Sequence, residues 1–188
     1  MNFQQYQQYF QDILHQASPN APYDSPDYFN YTKLNWSRMN RWLKTGQLTS
    51  EIIKVVASIK SKQNWIVITE PWCGDAAHIV PFIDMIAQKN ENISVQYELR
   101  DSEPNRIEHY LTNGKSKSIP KLIIQNEMAE DLAVWGPRPV ACQVYFDQQK
   151  EKNLDFEALK TELQHWYNND EGIEIMKELS ILLPATIK

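Results

Sequence analysis

The stretch from Trp65 to Ala87 constrains the fold more than any other part of the sequence. Trp65-Ile66-Val67-Ile68-Thr69 is short, apolar and rich in β-branched residues, and predicts a buried strand. From Trp72-Cys73-Gly74-Asp75 onward the spacing changes, with Ala77, Val80, Ile83, Met85 and Ile86 recurring as on a helix. Ile93 to Leu99 then alternates as a second strand. A strand–helix–strand unit needs a sheet to lie in, with helices covering its faces.

The flanking segments extend this reading. Phe3, Tyr6, Phe10, Ile13 and Leu14 predict a helix over about 2–16, followed by a proline-containing loop from Ser18 to Pro26. A second helix is predicted over Thr32 to Lys44, with Trp36, Met39 and Leu43 as its buried stripe and Gly46 as its stop. A third begins at Thr49 or Ser50. After Leu99, Glu103 to Thr112 reads as helical. Leu122 to Ile124 and Leu132 to Trp135 read as strands either side of a turn at Asn126-Glu127. From Pro139 the pattern is helical to the end, with a break near Asn168-Asn169. The fold class is therefore α/β: a mixed sheet of four to five strands flanked by helices, in one domain over 1–188. It divides into a helical extension over 1–48, a core over 49–165 and a C-terminal helix over 166–188.

Composition excludes several classes. Hydrophobic residues make up 42% of the 188 residues and charged residues 23%, ordinary for a chain that buries a core. No apolar run is long enough to predict a membrane span, and the first residues do not read as a secretory signal. Two cysteines make neither a disulfide framework nor a four-ligand zinc site, and they suit a reducing compartment, the cytoplasm. Residues 33–62 carry seven bases and one acid, but no nucleic-acid-binding signature accompanies them. They read as solvated helix surface in a chain of net charge −5. No Gly-rich phosphate loop, dinucleotide motif or metal-ligand spacing occurs, so no cofactor or metal is expected.

Cys73 falls between a buried strand and a helix. The free N–H groups and dipole of a helix N-terminus favour a thiolate, and cysteines so placed have pKa values lowered from about 8.5 to roughly 3.5–7.5. The same position also suits a cysteine that only packs. Cys73 is expected to titrate well below Cys142, which reads as a small buried core residue.

Glu70-Pro71-Trp72-Cys73-Gly74-Asp75-Ala76 resembles the active-site segment of the thioredoxin family, WCGPC. Ser118-Ile119-Pro120 resembles the family's cis-proline loop, which faces the cysteine and holds extended peptides. Gly136 resembles its glycine after the last strand. The resemblance spans about residues 50–165 and implies a thioredoxin-like fold, with Cys73 as nucleophile and Trp72, Ile119, Pro120, Gly136 and Arg138 contacting substrate. It also implies a protein or low-molecular-weight thiol as partner, and neither nucleic acid nor membrane.

The departures from the family pattern bear on function. Ala76 stands where the resolving cysteine belongs, Asp75 where the proline does, and Val67 where the family's buried acid does. A carboxylate at Asp75 opposes thiolate formation. Lys115, Lys117, Lys121 and Arg138 fall on loops that border the cysteine in the resembled fold. They read either as an ordinary basic loop or as a cationic cluster that holds an anion or offsets Asp75. His78 reads as packing or surface rather than a base, and Glu70 as a solvated strand end. A resolving role for Cys142 would need its Cα within about 7 Å of that of Cys73. Two functions follow: a monothiol thiol–disulfide oxidoreductase or thiol sensor using Cys73, or a peptide-binding module on the Trp72, Pro120 and Trp135 surface without redox chemistry.

Overall fold

A computed structural model describes residues 1–187. In chain order the elements are α1 (Phe3–His15), α2 (Pro26–Thr45), α3 (Ser50–Ala57), β1 (Gln63–Thr69), α4 (Gly74–Ala87) and β2 (Ile93–Leu99). They continue with β3 (Lys121–Asn126), β4 (Asp131–Trp135), α5 (Val140–Glu151), α6 (Phe156–Asp170) and α7 (Ile173–Leu182). The strands form one mixed sheet in the order β2-β1-β3-β4. β1 runs parallel to β2, and β3 antiparallel to both β1 and β4. The predicted α/β architecture with a central mixed sheet is the one found.

Local chemistry sets most helix ends. Asn2 and Gln5 form a reciprocal capping box at α1, and Thr49 and Asp155 cap α3 and α6 through their side chains. α2 begins at Pro26, earlier than the predicted Thr32, because proline is well placed in a first helical turn, where its missing N–H has no intrahelical role. The predicted helix over Glu103 to Thr112 is only a 3-10 turn, Arg106–His109. Pro104 interrupts that stretch, and Asn105 sits in the left-handed region at φ 54°. The C-terminal helical run breaks twice. One unforeseen break falls at Lys152–Asp155, where Asn153 has φ 55°. The other falls at Glu171 and Gly172, with φ 52° and 81°, slightly beyond Asn168-Asn169.

β1 is buried at every position except Asn64, since the sheet continues on both of its edges and helices cover its faces. α4 is buried nearly all round, which is why its pattern is apolar on every side rather than striped. The helical segment before residue 49 supplies Tyr6, Phe10, Met39 and Trp42 to the same buried cluster as Trp65, Ile83 and Ile124. The far end supplies Tyr167, Ile175, Met176 and Leu179, and α6 runs across position 165 without interruption. Tyr6 stacks on Tyr97 at 5.5 Å, and the backbone of Met1 pairs with that of Tyr97 along the outer edge of β2. Among the described residues no helix is long and apolar enough to cross a membrane.

Gly172 sets the angle between α6 and α7. A Cβ there would run into the Phe82 ring of α4, at a φ that L residues rarely adopt. Gly172→Ala is expected to destabilise the chain by about 2–3 kcal/mol, read as a lower urea midpoint at unchanged m-value.

Candidate functional site around Cys73

β1 ends at Thr69 and the chain turns through Glu70-Pro71-Trp72. The Cys73 N–H closes the turn on the Glu70 carbonyl at 3.0 Å, and Asn35 of α2 donates to the Pro71 carbonyl at 3.0 Å. Cys73 is the N-cap of α4, and its Sγ accepts the Ala76 N–H at 3.4 Å. The thiol in turn donates to the Ile119 carbonyl at 3.4 Å. The Ile119–Pro120 peptide bond is cis, as the resemblance implied. Gly136, at φ 114°, lies so close that a Cβ on it would strike the Pro120 carbonyl oxygen, so only glycine lets the loop after β4 approach the site.

That loop delivers Arg138 to Asp75 in the first turn of α4. Arg138 Nη2 lies 2.6 Å from Asp75 Oδ2, and the Tyr167 hydroxyl of α6 donates to Asp75 Oδ1 at 2.6 Å. The guanidinium also lies over the Phe146 ring. His78, on the same helix as Asp75, is packed among aromatic side chains. It accepts from Trp42 Nε1 at Nδ1, 2.8 Å, and bonds Gln164 through Nε2, 2.6 Å, while stacking on Tyr167 at 4.6 Å. With Nδ1 accepting, Nε2 carries the proton. Burial pushes His78 down to about 3.

The thiols run against the sequence expectation. Cys73 is 7% exposed, and burial, reinforced by Asp75, pushes it up to about 12. The N–H groups of Ala76 and Asp75 and the Arg138 charge act in the opposite direction and do not prevail. Cys142 is wholly buried and is likewise pushed up to about 12, by burial first and then by Asp75. The expected separation of the two thiols is absent, and both are free.

Glu70 corrects another expectation. It is buried, not solvated. Tyr23 donates to one carboxylate oxygen and the Asp101 N–H to the other. Burial raises it to about 7, although the Asp101 N–H opposes the shift. Tyr23 belongs to the N-terminal segment, so no local sequence signal marked this burial.

Trp72, Cys73, Asp75, Lys117, Ile119 and Arg138 come together along one open cleft of about 1250 Å³. Pro120 and Gly136 support it from behind through the cis bond and the close approach. Lys117, Lys121 and Arg138 are each engaged within the chain, and Arg138 offsets Asp75. Lys117 pairs with Glu108, Arg138 with Asp75, and Lys121 is buried, donating to Thr112 Oγ1 and the Gly136 carbonyl. The sequence reading missed the opposite walls: Tyr28 and Tyr31 of α2, Val140 and Val144 of α5, and Phe156 and Gln164 of α6. Val140 and Val144 are both exposed, which their spacing of four on a helix does not by itself reveal. Among the described residues no group of three or more His, Cys, Asp or Glu side chains is placed to hold a metal.

The family model described as thioredoxin matches residues 22–152. The chain belongs to the thioredoxin family. In fold this thioredoxin-family chain is similar to a Pseudomonas aeruginosa protein of unknown function, at 17% identity and TM-score 0.50, over 86% of this chain and 89% of that one. It is also similar to an HIV epitope-scaffold, at 14% identity and TM-score 0.54, over 98% of each chain. Comparison with curated proteins finds no match.

Arg138→Met strands the Asp75 carboxylate in a mostly buried setting and is expected to lower stability by on the order of 3 kcal/mol. Adding Asp75→Asn should recover most of that loss, read by urea unfolding of the double variant. His78 gives a pH signature. Its folded pKa, about 3, lies below the ordinary 6.5, so between these values the unfolded chain binds the extra proton. The His78 contribution is complete above pH 6.5 and is lost as pH falls toward 3, at up to about 1.4 kcal/mol per unit. His78→Gln should flatten the stability curve across that window relative to the natural chain.

Proposed function

We propose that the chain is a peptide-binding module built on the thioredoxin fold, whose site thiol does not turn over disulfides. The observation that carries this is the state of Cys73: buried, donating its proton to the Ile119 carbonyl, and pushed up to about 12. A thiol exchange enzyme attacks as thiolate, and little thiolate exists at neutral pH with such a value. Ala76 removes the usual means of resolving a mixed disulfide. What the family's site retains here is its surface: Trp72 beside the sulfur, the Ile119–Pro120 loop and the loop after β4, bordering a cleft large enough for several residues of a partner chain. The partner in this reading is a protein, and a reducing compartment such as the cytoplasm suits two free buried thiols.

One observation favours the monothiol reading, with an external low-molecular-weight thiol releasing the product. Cys73 Sγ accepts the Ala76 N–H at the N-terminus of α4, the position in which a helix stabilises a thiolate. Alkylation separates the two. In Cys142→Ser protein, the iodoacetamide rate at Cys73 should rise with pH through a midpoint above about 8.5, with no catalysed reduction of insulin. A midpoint below about 7, or insulin reduction lost on Cys73→Ser, overturns the binding-module reading in favour of exchange chemistry.

A further inference from the structure

The cleft beside Cys73 carries more exposed apolar surface than the thioredoxin-like site residues account for. Val140 and Val144 on α5 are 68% and 51% exposed, Phe156 at the start of α6 is 69% exposed, and Tyr28 on α2 is 46% exposed. All four line the same cleft. Tyr28 comes from α2, with its ring edge-on to Trp72 at 6.1 Å, and the other three come from α5 and α6. Val140 and Val144 share a helix face that also carries Gln143 and Asp147, so the α5 side offers two exposed apolar side chains set among polar ones. Exposed large apolar residues scattered singly need no explanation, but a grouped set around a concavity marks an interaction site.

We infer that the α5–α6 wall is a docking face for an uncharged, apolar-rich segment of a partner polypeptide, which seats large side chains against Val140, Val144 and Phe156 while its backbone passes Cys73. This inference rests on the peptide-binding reading of the same cleft and adds which segments it takes.

The charges of the cleft argue for an uncharged occupant. Four of its cations already have carboxylate partners within the chain: Arg138 with Asp75, Lys117 with Glu108, Arg100 with Asp101 and Lys160 with Glu157. Asp27 and Asp147 stand on the rim against the remaining Lys150. An anionic segment would meet as much repulsion as attraction and would displace ion pairs already made. The volume of about 1250 Å³ exceeds the roughly 300–1,000 Å³ usual for small-molecule pockets, which suits several linked residues. A second copy fits poorly, since a two-fold contact sets a patch against itself and two concave clefts leave the space between them unfilled.

The probe is a short synthetic peptide of Leu, Phe, Ser and Gly with blocked ends and no charge, labelled for fluorescence anisotropy. Three proteins are compared: the natural chain, Trp72→Ala, and Val144→Lys with Phe156→Glu. The last pair keeps net charge constant, lies at exposed helical positions, and places an acid in the first turn of α6, where it is favourable. Its fold is checked by circular dichroism and urea midpoint. The natural chain should bind the probe, while the paired variant should bind at least about tenfold more weakly, the worth of burying one such side chain. Poly-glutamate should not compete. Binding of the paired variant within twofold of the natural chain overturns this inference. If Trp72→Ala is weakened in that case, the peptide-binding reading survives alone. If neither variant is weakened, or the natural chain binds nothing, both fall. Competition by poly-glutamate, or a concentration-dependent dimer abolished by the paired substitution, also overturns it in favour of an anionic or self-contact.

Discussion

The ion pair between Asp75 and Arg138 ties the site together across parts of the chain that are distant in sequence. Asp75 opens α4, Arg138 rides on the loop after β4, and Tyr167 brings α6 to the same carboxylate. Little water reaches this pair, so each charge depends on the other, and the loop that carries Arg138 is fixed to the turn that carries Cys73. The close approach of Gly136 to Pro120 is the steric half of the same arrangement. The stacked His78 and Tyr167 extend it inward to Trp42 of α2.

This arrangement also explains the state of the thiol. In WCGPC the residue after the glycine is uncharged; here it is a carboxylate, and the cation that neutralises it is drawn toward Asp75. Burial then governs Cys73, and the helix N-terminus only moderates the outcome. Burial and the Asp75 charge raise the thiol against the lowering that the helix N-terminus and Arg138 supply.

What the sequence revealed, and what it hid, divides along physical lines. β1, α4 and β2 were legible because Trp65–Thr69 and Ala77–Ile86 keep one periodicity over their whole length. Trp72, Cys73, Ile119 and Pro120 were singled out because their segments resemble those of the thioredoxin family, and the fold brings Trp72, Cys73 and Ile119 to one cleft. The stretch over Glu103–Thr112 misled because its apolar spacing outlasts its backbone: Pro104 and a left-handed Asn105 leave room for one 3-10 turn only. Glu70 was misread, and the partner of Lys121 went unforeseen, because Tyr23 and Thr112 are residues that linear spacing does not bring near. The walls of the cleft were hidden for the same reason, since α2, α5 and α6 meet only in the folded chain.

The hydrogen bond from the Cys73 thiol to the Ile119 carbonyl has a consequence for chemical endurance. Peroxide attacks the thiolate and proceeds through sulfenic acid to forms that cannot be reversed. A sulfur that keeps its proton and has 7% of its surface exposed offers peroxide little purchase. A surface organised around such a sulfur keeps its shape under oxidant levels that would modify an activated cysteine in the same place.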